Sequence, residues 1–423
     1  MFTKILLLCF LIGYVVAADD QDSSEEEYDY NYVPFQGPPF DKFDWRLVNE
    51  IIQEEKSNLV VSPFSLKVLL TLLLEATGAR SNTELKTQTE RELEQVLSDF
   101  SFQQADEIYE KVFDSIKKPN KNYILDVGTK IYVNDFIKPI NKYASLIEYR
   151  YNASIESISF GNPRYATQII NQWVANVTQG HIRNLVNEDA VAESVMIMLN
   201  AIFFKGLWRH PFPENETAPY PFKSYGESKP TNVQFMQQTG QFFYDDSVAL
   251  NAQLLRLPYK GKKFAMTLIL PNENSNLQQL MEKLNSSSLK LAKWYMEEND
   301  VKVKIPKFKF DYKINLNEAV KQLGIRDIFT ANASLALLSR GEGTRNELVV
   351  SNIVQKAGLA VDELGSVAYA ATEIQLVNKF GGDTMKEFTA NRPFLFFIED
   401  ETTGALLFVG KVVNPAALGK KAQ

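Results

Sequence analysis

Cysteine is almost missing from this chain. The single one, Cys9, lies in an apolar run at the N-terminus. The remainder therefore has no disulfide, no thiolate nucleophile and no cysteine metal site. Stability must come from a packed core, which 423 residues at 45% hydrophobic composition can supply. Histidine is scarce too, with only His181 and His210. A Ser-His-Asp enzyme would need one of them as its base, and nothing around either supports that role. His181 follows a helix-ending glycine, where the helix dipole favours an imidazole. There is no HExxH, no G-x-S-x-G, no P-loop and no dinucleotide-binding glycine motif. These gaps point away from an enzyme, a metal and a cofactor. Past the N-terminal run, no stretch is long and apolar enough to span a bilayer.

What is present begins with a leader. Lys4, the run "ILLLCFLIGYVVA" and the small pair Ala17 and Ala18 read as a secretory signal over residues 1–17, which implies an extracellular protein. Residues 18–40 then read as an acidic, disordered tail. Residues 19–32, "DDQDSSEEEYDYNY", carry seven acids and no base. The tail is a solvated leader or, as the sharper reading, an electrostatic docking segment with sulfated Tyr28, Tyr30 and Tyr32. It accounts for nearly all of the net charge of −7, so the body is close to neutral. The folded body runs over 41–415, with a short tail at 416–423. Asn152, Asn176, Asn215, Asn285 and Asn332 head five glycosylation sequons and fit extracellular residence.

The body carries no internal repeat and no linker. "FDKFDWRLVNEIIQE" places Phe43, Leu47 and Ile51 at helical spacing. "NLVVSPFSLKVLLTLLLEATGA" predicts a buried helix capped by Ser62, opened by Pro63 and ended by Gly78. "YATQIINQWVANVTQG" predicts a helix with Ile169, Trp173 and Val177 on one face and Gly180 at its end. "SVMIMLNAIFFKGLW" reads as a long strand buried on both faces. "VKVKIPKFKF" alternates on each side of Pro306, which favours an edge strand or a bend. "KINLNEAVKQLGI" is an amphipathic helix ending at Gly324, and "PFLFFIEDETTGALLFVGKVV" is a hairpin. Helices dominate early and strands late, an α+β pattern. Lys302, Lys304, Lys307 and Lys309 are the solvated side of that alternating stretch or, less plainly, a basic stripe for a heparin-like polyanion. No stacking aromatics accompany them, so nucleic-acid binding is not expected.

Taken in order, these segments resemble the serpin family from about residue 40 to Pro415. The segments are "NLVVSPFSLKVLLTLLLEATGA", "INQWVANVTQGHIRNLV", "LNAIFFKGLW", "LPYKGKKFAMTLILP", "IPKFKF", "KQLGIRDIF", "LVVSNIVQKAGLAVDELGS" and "NRPFLFFIEDETTGALLFVGKVVNP". The resemblance implies a monomeric serpin fold of about nine helices and three β-sheets. It also implies an exposed reactive loop, at about 363–388, that can insert into the largest sheet as a new strand. The family's hinge pattern falls on Glu363, Gly365, Ser366, Ala368, Ala370, Ala371 and Thr372. Counting fourteen residues on from Gly365 puts the scissile bond at Lys379–Phe380. Lys386 is the only other base nearby and sits close to the next strand. Glu363 and Lys307 match a pair that steadies the top of the main sheet. Trp208 matches a tryptophan beneath the loop, and Ser62, Ser65 and Asn200 match a polar cluster where sheet strands part. Gln355 stands where that cluster usually has a histidine. Leu364 replaces a usual polar residue, and Tyr369 interrupts the small hinge residues.

The loop's residue types suit insertion. Ser366, Ala368, Ala370, Thr372, Ile374 and Leu376 form one alternating set with no charge, as a buried strand face needs. Tyr369 and Glu373 fall in the other set. Burying Ile374 and Leu376 would contribute roughly 1.5–3 kcal/mol each. By resemblance, the chain is an irreversible suicide substrate for a trypsin-like serine protease held as a covalent acyl complex. Lysine at the scissile bond implies a carboxylate in the target's pocket. The motif "NKFGG" looks like insect haemolymph serpins that restrain clip-domain proteases in melanisation and Toll signalling. The other reading is a non-inhibitory serpin, a carrier or chaperone.

Overall fold

The computed structural model describes residues 41–81, 86–99, 101–117, 120–224, 227, 229–339, 348–364 and 385–416. Ten α-helices are found among them. They are α1 (Lys42–Glu54), α2 (Pro63–Thr77), α3 (Gln88–Val96), α4 (Phe102–Lys117), α5 (Asn141–Tyr151), α6 (Pro163–Val177), α7 (Glu188–Val191), α8 (Leu277–Lys283), α9 (Ser286–Trp294) and α10 (Asn317–Leu323). The strands are β1 (Leu59–Val61), β2 (Tyr123–Asn134), β3 (Ala153–Ile158), β4 (Met196–Gly206), β5 (Ala218–Phe222), β6 (Thr231–Ser247), β7 (Ala252–Pro258), β8 (Phe264–Pro271), β9 (Glu297–Pro306), β10 (Phe308–Asn315), β11 (Val350–Val361), β12 (Lys386–Thr389), β13 (Phe394–Asp400) and β14 (Leu406–Val412).

Local chemistry explains the main elements. Ser62 accepts the Ser65 amide at the start of α2, Pro63 occupies its first turn, and Gly78 closes it at φ 90°. That helix is buried on nearly every side. β4 is sandwiched as its continuous apolar run implies. Met196, Met198, Ile202 and Phe204 point into the main core, while Ile197, Leu199, Ala201 and Phe203 join a second cluster under α6. The hairpin of β13 and β14 forms with paired register from Phe394–Val412 to Glu399–Leu406.

The strands make two hydrogen-bonded sheets. One has five strands in the order β10-β11-β4-β2-β3. The other has nine, running β1-β14-β13-β8-β7-β6-β9-β12 with β5 also on β6. Three sheets were expected. Two of them fuse because β6 is 17 residues long. Its first part pairs β5 and β9, and its last residues, Phe243 to Ser247, pair β7.

The buried face of α6 is Ala166, Ile170 and Val174, whereas Ile169, Trp173 and Val177 flank it half-buried. The apolar stripe is wide enough for both sets, and Val177 and Trp173 close on Gly128 of β2, where an added Cβ would lie 2.5 and 3.1 Å from them. Trp173 also lies edge-on to Tyr132, with ring centroids 6.2 Å apart. The stretch around Pro306 is a bend, as one of the two expected readings had it, and its second half is an edge strand. Pro306 ends β9, which is paired on both sides, and β10 continues as the outer strand of the other sheet. Lys302 and Lys304 therefore sit in one sheet and Lys309 in the other, so the lysines form no single-strand stripe.

Gly410 marks the tightest close approach in the nine-stranded sheet. A Cβ there would overlap the Leu59 carbonyl oxygen and come within 2.6 Å of the Phe396 ring. The Gly410→Ala variant should lose about 1–3 kcal/mol of stability. Denaturant unfolding measures this, and an unchanged midpoint would contradict the packing described.

Candidate functional site

The site is the seam between β4 and β11 together with the stem that follows β11. These two strands are parallel neighbours, with Gln355 opposite Asn200 and Leu359 opposite Phe204. β11 ends at Val361, and the next three residues are held by their main chain. The Trp208 indole Nε1 donates to the Asp362 carbonyl at 2.8 Å. The Phe212 amide donates to the Glu363 carbonyl at 2.9 Å, and the Trp208 amide to the Leu364 carbonyl at 3.2 Å. Trp208 is itself fixed by stacking on Tyr259, with centroids 4.4 Å apart and planes 11° from parallel.

The Glu363 carboxylate adds a charged tie. Lys307 Nζ lies 2.8 Å from Oε1 and 2.7 Å from Oε2. Thr217 Oγ1 donates to Oε1 at 2.7 Å. Burial opposes ionisation, but the hydrogen bonds from Lys307 and Thr217 outweigh it and hold the carboxyl below its ordinary value. Beside it, Lys205 pairs with Asp362 at 2.9 Å. The bend at Pro306 is what brings Lys307, at the junction of the two sheets, to this stem.

Deeper in the sheet, five side chains make a closed polar chain. The Ser62 amide donates to Gln355 Oε1 at 2.7 Å. Gln355 Nε2 donates to the Ser62 carbonyl at 3.0 Å and to Asn200 Oδ1 at 3.3 Å. Asn200 Nδ2 reaches the Gly128 carbonyl and Thr129 Oγ1, both at 3.2 Å. Ser62 Oγ donates to Ser65 Oγ at 3.0 Å. All five side chains are at least 96% buried, so each bond stands in for a lost water contact. Ser62 serves both as the cap of α2 and as a member of this chain.

Thus Ser62, Ser65, Asn200 and Gln355 meet in one cluster, and Trp208, Lys307 and Glu363 in another. Thr129, Thr217, Tyr259, Asp362 and Lys205 belong to these clusters and were not singled out in the sequence. Lys205, Tyr259 and Asp362 lay inside segments that carry the family resemblance, and Thr217 lay in the sequon of Asn215, but nothing in the sequence marked them as site residues. The hinge residues Gly365, Ser366, Ala368, Ala370, Ala371 and Thr372 and the Lys379–Phe380 bond lie outside the described residues. So do the leader and the acidic tail. Lys386 opens β12 and pairs with Val301, so it belongs to a sheet strand. Asn152, Asn176, Asn215, Asn285 and Asn332 are all exposed. Two of them already work locally: Asn152 closes α5 in a left-handed conformation, and Asn285 caps α9.

Both histidines pack against aromatic rings, His210 edge-on to Phe242. His181 stacks on Phe203, with centroids 4.1 Å apart. Burial, with Arg209 adjacent, pushes the His210 imidazole below its ordinary value. Among the described residues, no group of three His, Cys, Asp or Glu side chains could hold a metal ion. No described helix is long and apolar enough to cross a membrane.

The polar chain generates a direct test. Replacing Gln355 with Ala leaves Asn200 Oδ1 and the Ser62 amide without their partner. That should cost about 1–3 kcal/mol, read as a lower denaturant midpoint. A midpoint equal to that of the parent would show that the chain does not seal the seam.

Comparison with known proteins agrees with this arrangement. The family model described as "Serpin (serine protease inhibitor)" matches residues 40–415. "Serine protease inhibitor 2" of Anopheles gambiae is 50% identical over 383 residues, covering 90% of this chain and 93% of that protein. The crystal structure of Manduca sexta serpin-12 superposes with a TM-score of 0.79 at 26% identity, covering 91% of this chain and all of the other. Uncleaved ovalbumin superposes at 0.78 with 27% identity, covering 90% of this chain and all of the other. The closed β4–β11 seam, its polar chain and the tethered stem are thus features of a chain that belongs to the serpin family of serine protease inhibitors.

Proposed function

We propose that this chain is a secreted inhibitory serpin that traps a trypsin-like serine protease as a suicide substrate cut at Lys379–Phe380. The protease serine attacks the Lys379 carbonyl, the Phe380 amine leaves, and an acyl bond joins the protease to Lys379. The freed loop then enters the main sheet and carries the protease with it before water reaches the acyl bond.

The observation that carries this reading is the parallel pairing of β4 with β11 directly beside the stem. A segment that reverses direction after Leu364 runs antiparallel to β11. It therefore runs antiparallel to β4 as well. Insertion would replace one parallel ladder with two antiparallel ones, which are the more stable type per residue. The uncharged set from Ser366 to Leu376 supplies a face fit for burial there. The hydrophobic leader and five exposed sequons support action outside the cell. The insect relatives support inhibition of a serine protease, and the narrower proposal of a clip-domain protease in a melanisation or innate-immune cascade rests on the resemblance of "NKFGG" alone. A polyanion is no part of the proposal, because the lysines are divided between two sheets and Lys307 is engaged with Glu363.

Incubation with trypsin tests the reading. A complex that survives boiling in detergent should form, with cleavage after Lys379. Lys379→Ala should abolish it. Ser366→Glu places an unpaired charge on the buried face and should turn the inhibitor into a plain substrate. Clean cleavage of the parent without any complex would contradict inhibition and favour the carrier or chaperone reading.

A further inference from the structure

A second surface on this chain is built to meet the protease, an inference that rests on the inhibitory reading above. Chain order bounds how far from β9 the protease can sit. The described chain resumes at Met385, and β12 follows at once, pairing in parallel with β9 so that Lys386 faces Val301. Asp300 therefore lies beside the C-terminal stem of the loop. Phe380 is five residues from Met385, a span of at most about 18 Å when fully extended. A small protein domain is about 30 Å across. A protease seated on Lys379–Phe380 is therefore held within about 18 Å of Met385, close to the N-terminal end of β9.

That end of the molecule differs from ordinary surface in two independent ways. Glu297, Glu298 and Asp300 are exposed, and none has an ion-pair partner among the described residues. Immediately before them, α9 and its cap present Leu291, Trp294 and Tyr295 to solvent, at 49%, 68% and 61% exposure. Their spacing of three and four places them on one ridge. The opposite side of α9, with Leu289 and Ala292, is already buried, so the ridge is not needed to pack the helix. Outward-facing Trp and Tyr are the residues that anchor interface centres, and uncompensated acids beside them set the sign of the partner.

We propose that residues 291–300 form a docking surface for the target protease, and that the target carries a basic face beside the part of its cleft that holds the residues after the cut. The acids steer that basic face toward the loop, and Trp294 and Tyr295 anchor it once it arrives. Lysine at the scissile bond then selects the pocket, while this surface selects among proteases that share the pocket.

The test uses the full-length protein and cationic trypsin whose active-site serine is replaced by alanine, so that docking is read without cleavage or insertion. Two variants are compared with the parent, a charge reversal (Glu297→Lys, Glu298→Lys and Asp300→Lys together) and Trp294→Ala with Tyr295→Ala. Each should bind roughly tenfold more weakly or worse, and the charge reversal should also flatten the salt dependence. Equal binding by the parent and both variants, or no measurable binding by the parent, overturns the proposal. If docking weakens in the variants but active trypsin yields no covalent complex with the parent, the docking surface stands and the inhibitory reading falls.

Discussion

The seam between β4 and β11 depends on an amide. Gln355 holds Ser62 on one side and Asn200 on the other, and Asn200 passes the connection to Thr129 on β2. The chain thus links three neighbouring strands to the start of α2. In a dry interior such a chain is rigid while every member is satisfied, and each broken link leaves a buried polar group without water. On the inhibitory reading, a sheet sealed this way is closed at rest and opens to admit the cut loop. A new strand that brings its own donors and acceptors can meet the same demands.

The choice of glutamine has a physical consequence. The family's polar cluster usually has a histidine at this position, and a histidine titrates near neutral pH. Gln355 does not titrate, so this part of the seam keeps one hydrogen-bonding pattern at every physiological pH. The titratable tie lies instead at the stem. The Glu363 carboxyl sits below its ordinary value in the folded chain. Its stabilising contribution is therefore complete above the ordinary carboxylate range and is lost as pH falls through the lower folded value. The stem is thus held by charge at neutral pH, and the seam by neutral hydrogen bonds.

Much of this was legible in the sequence wherever the signal was local. Ser62, Pro63 and Gly78 announced both ends of α2. The unbroken apolar run from Met196 announced a strand covered on both faces, and Pro306 announced a bend. The identity of the serpin fold was carried by eight segments in order. What sequence could not supply were relations set by tertiary packing. The α6 stripe was broad enough to rotate, and only the contact with the sheet selected Ala166, Ile170 and Val174. Thr217 and Glu363 are 146 residues apart, and no spacing rule links them. The fusion of two sheets came from the length of β6, whose ends pair with different neighbours. Tyr259 stayed hidden because its role is to support Trp208 and not to touch the stem.

The account's central claim is that the cut loop enters the β4–β11 seam. Thermal unfolding of the chain cleaved at Lys379, compared with the intact chain, tests it most directly. Insertion adds a strand to the middle of a sheet. With burial of Ile374 and Leu376 and a new ladder, the cleaved form should unfold roughly ten degrees or more above the intact one. A cleaved form that unfolds at or below the temperature of the intact chain would contradict the account.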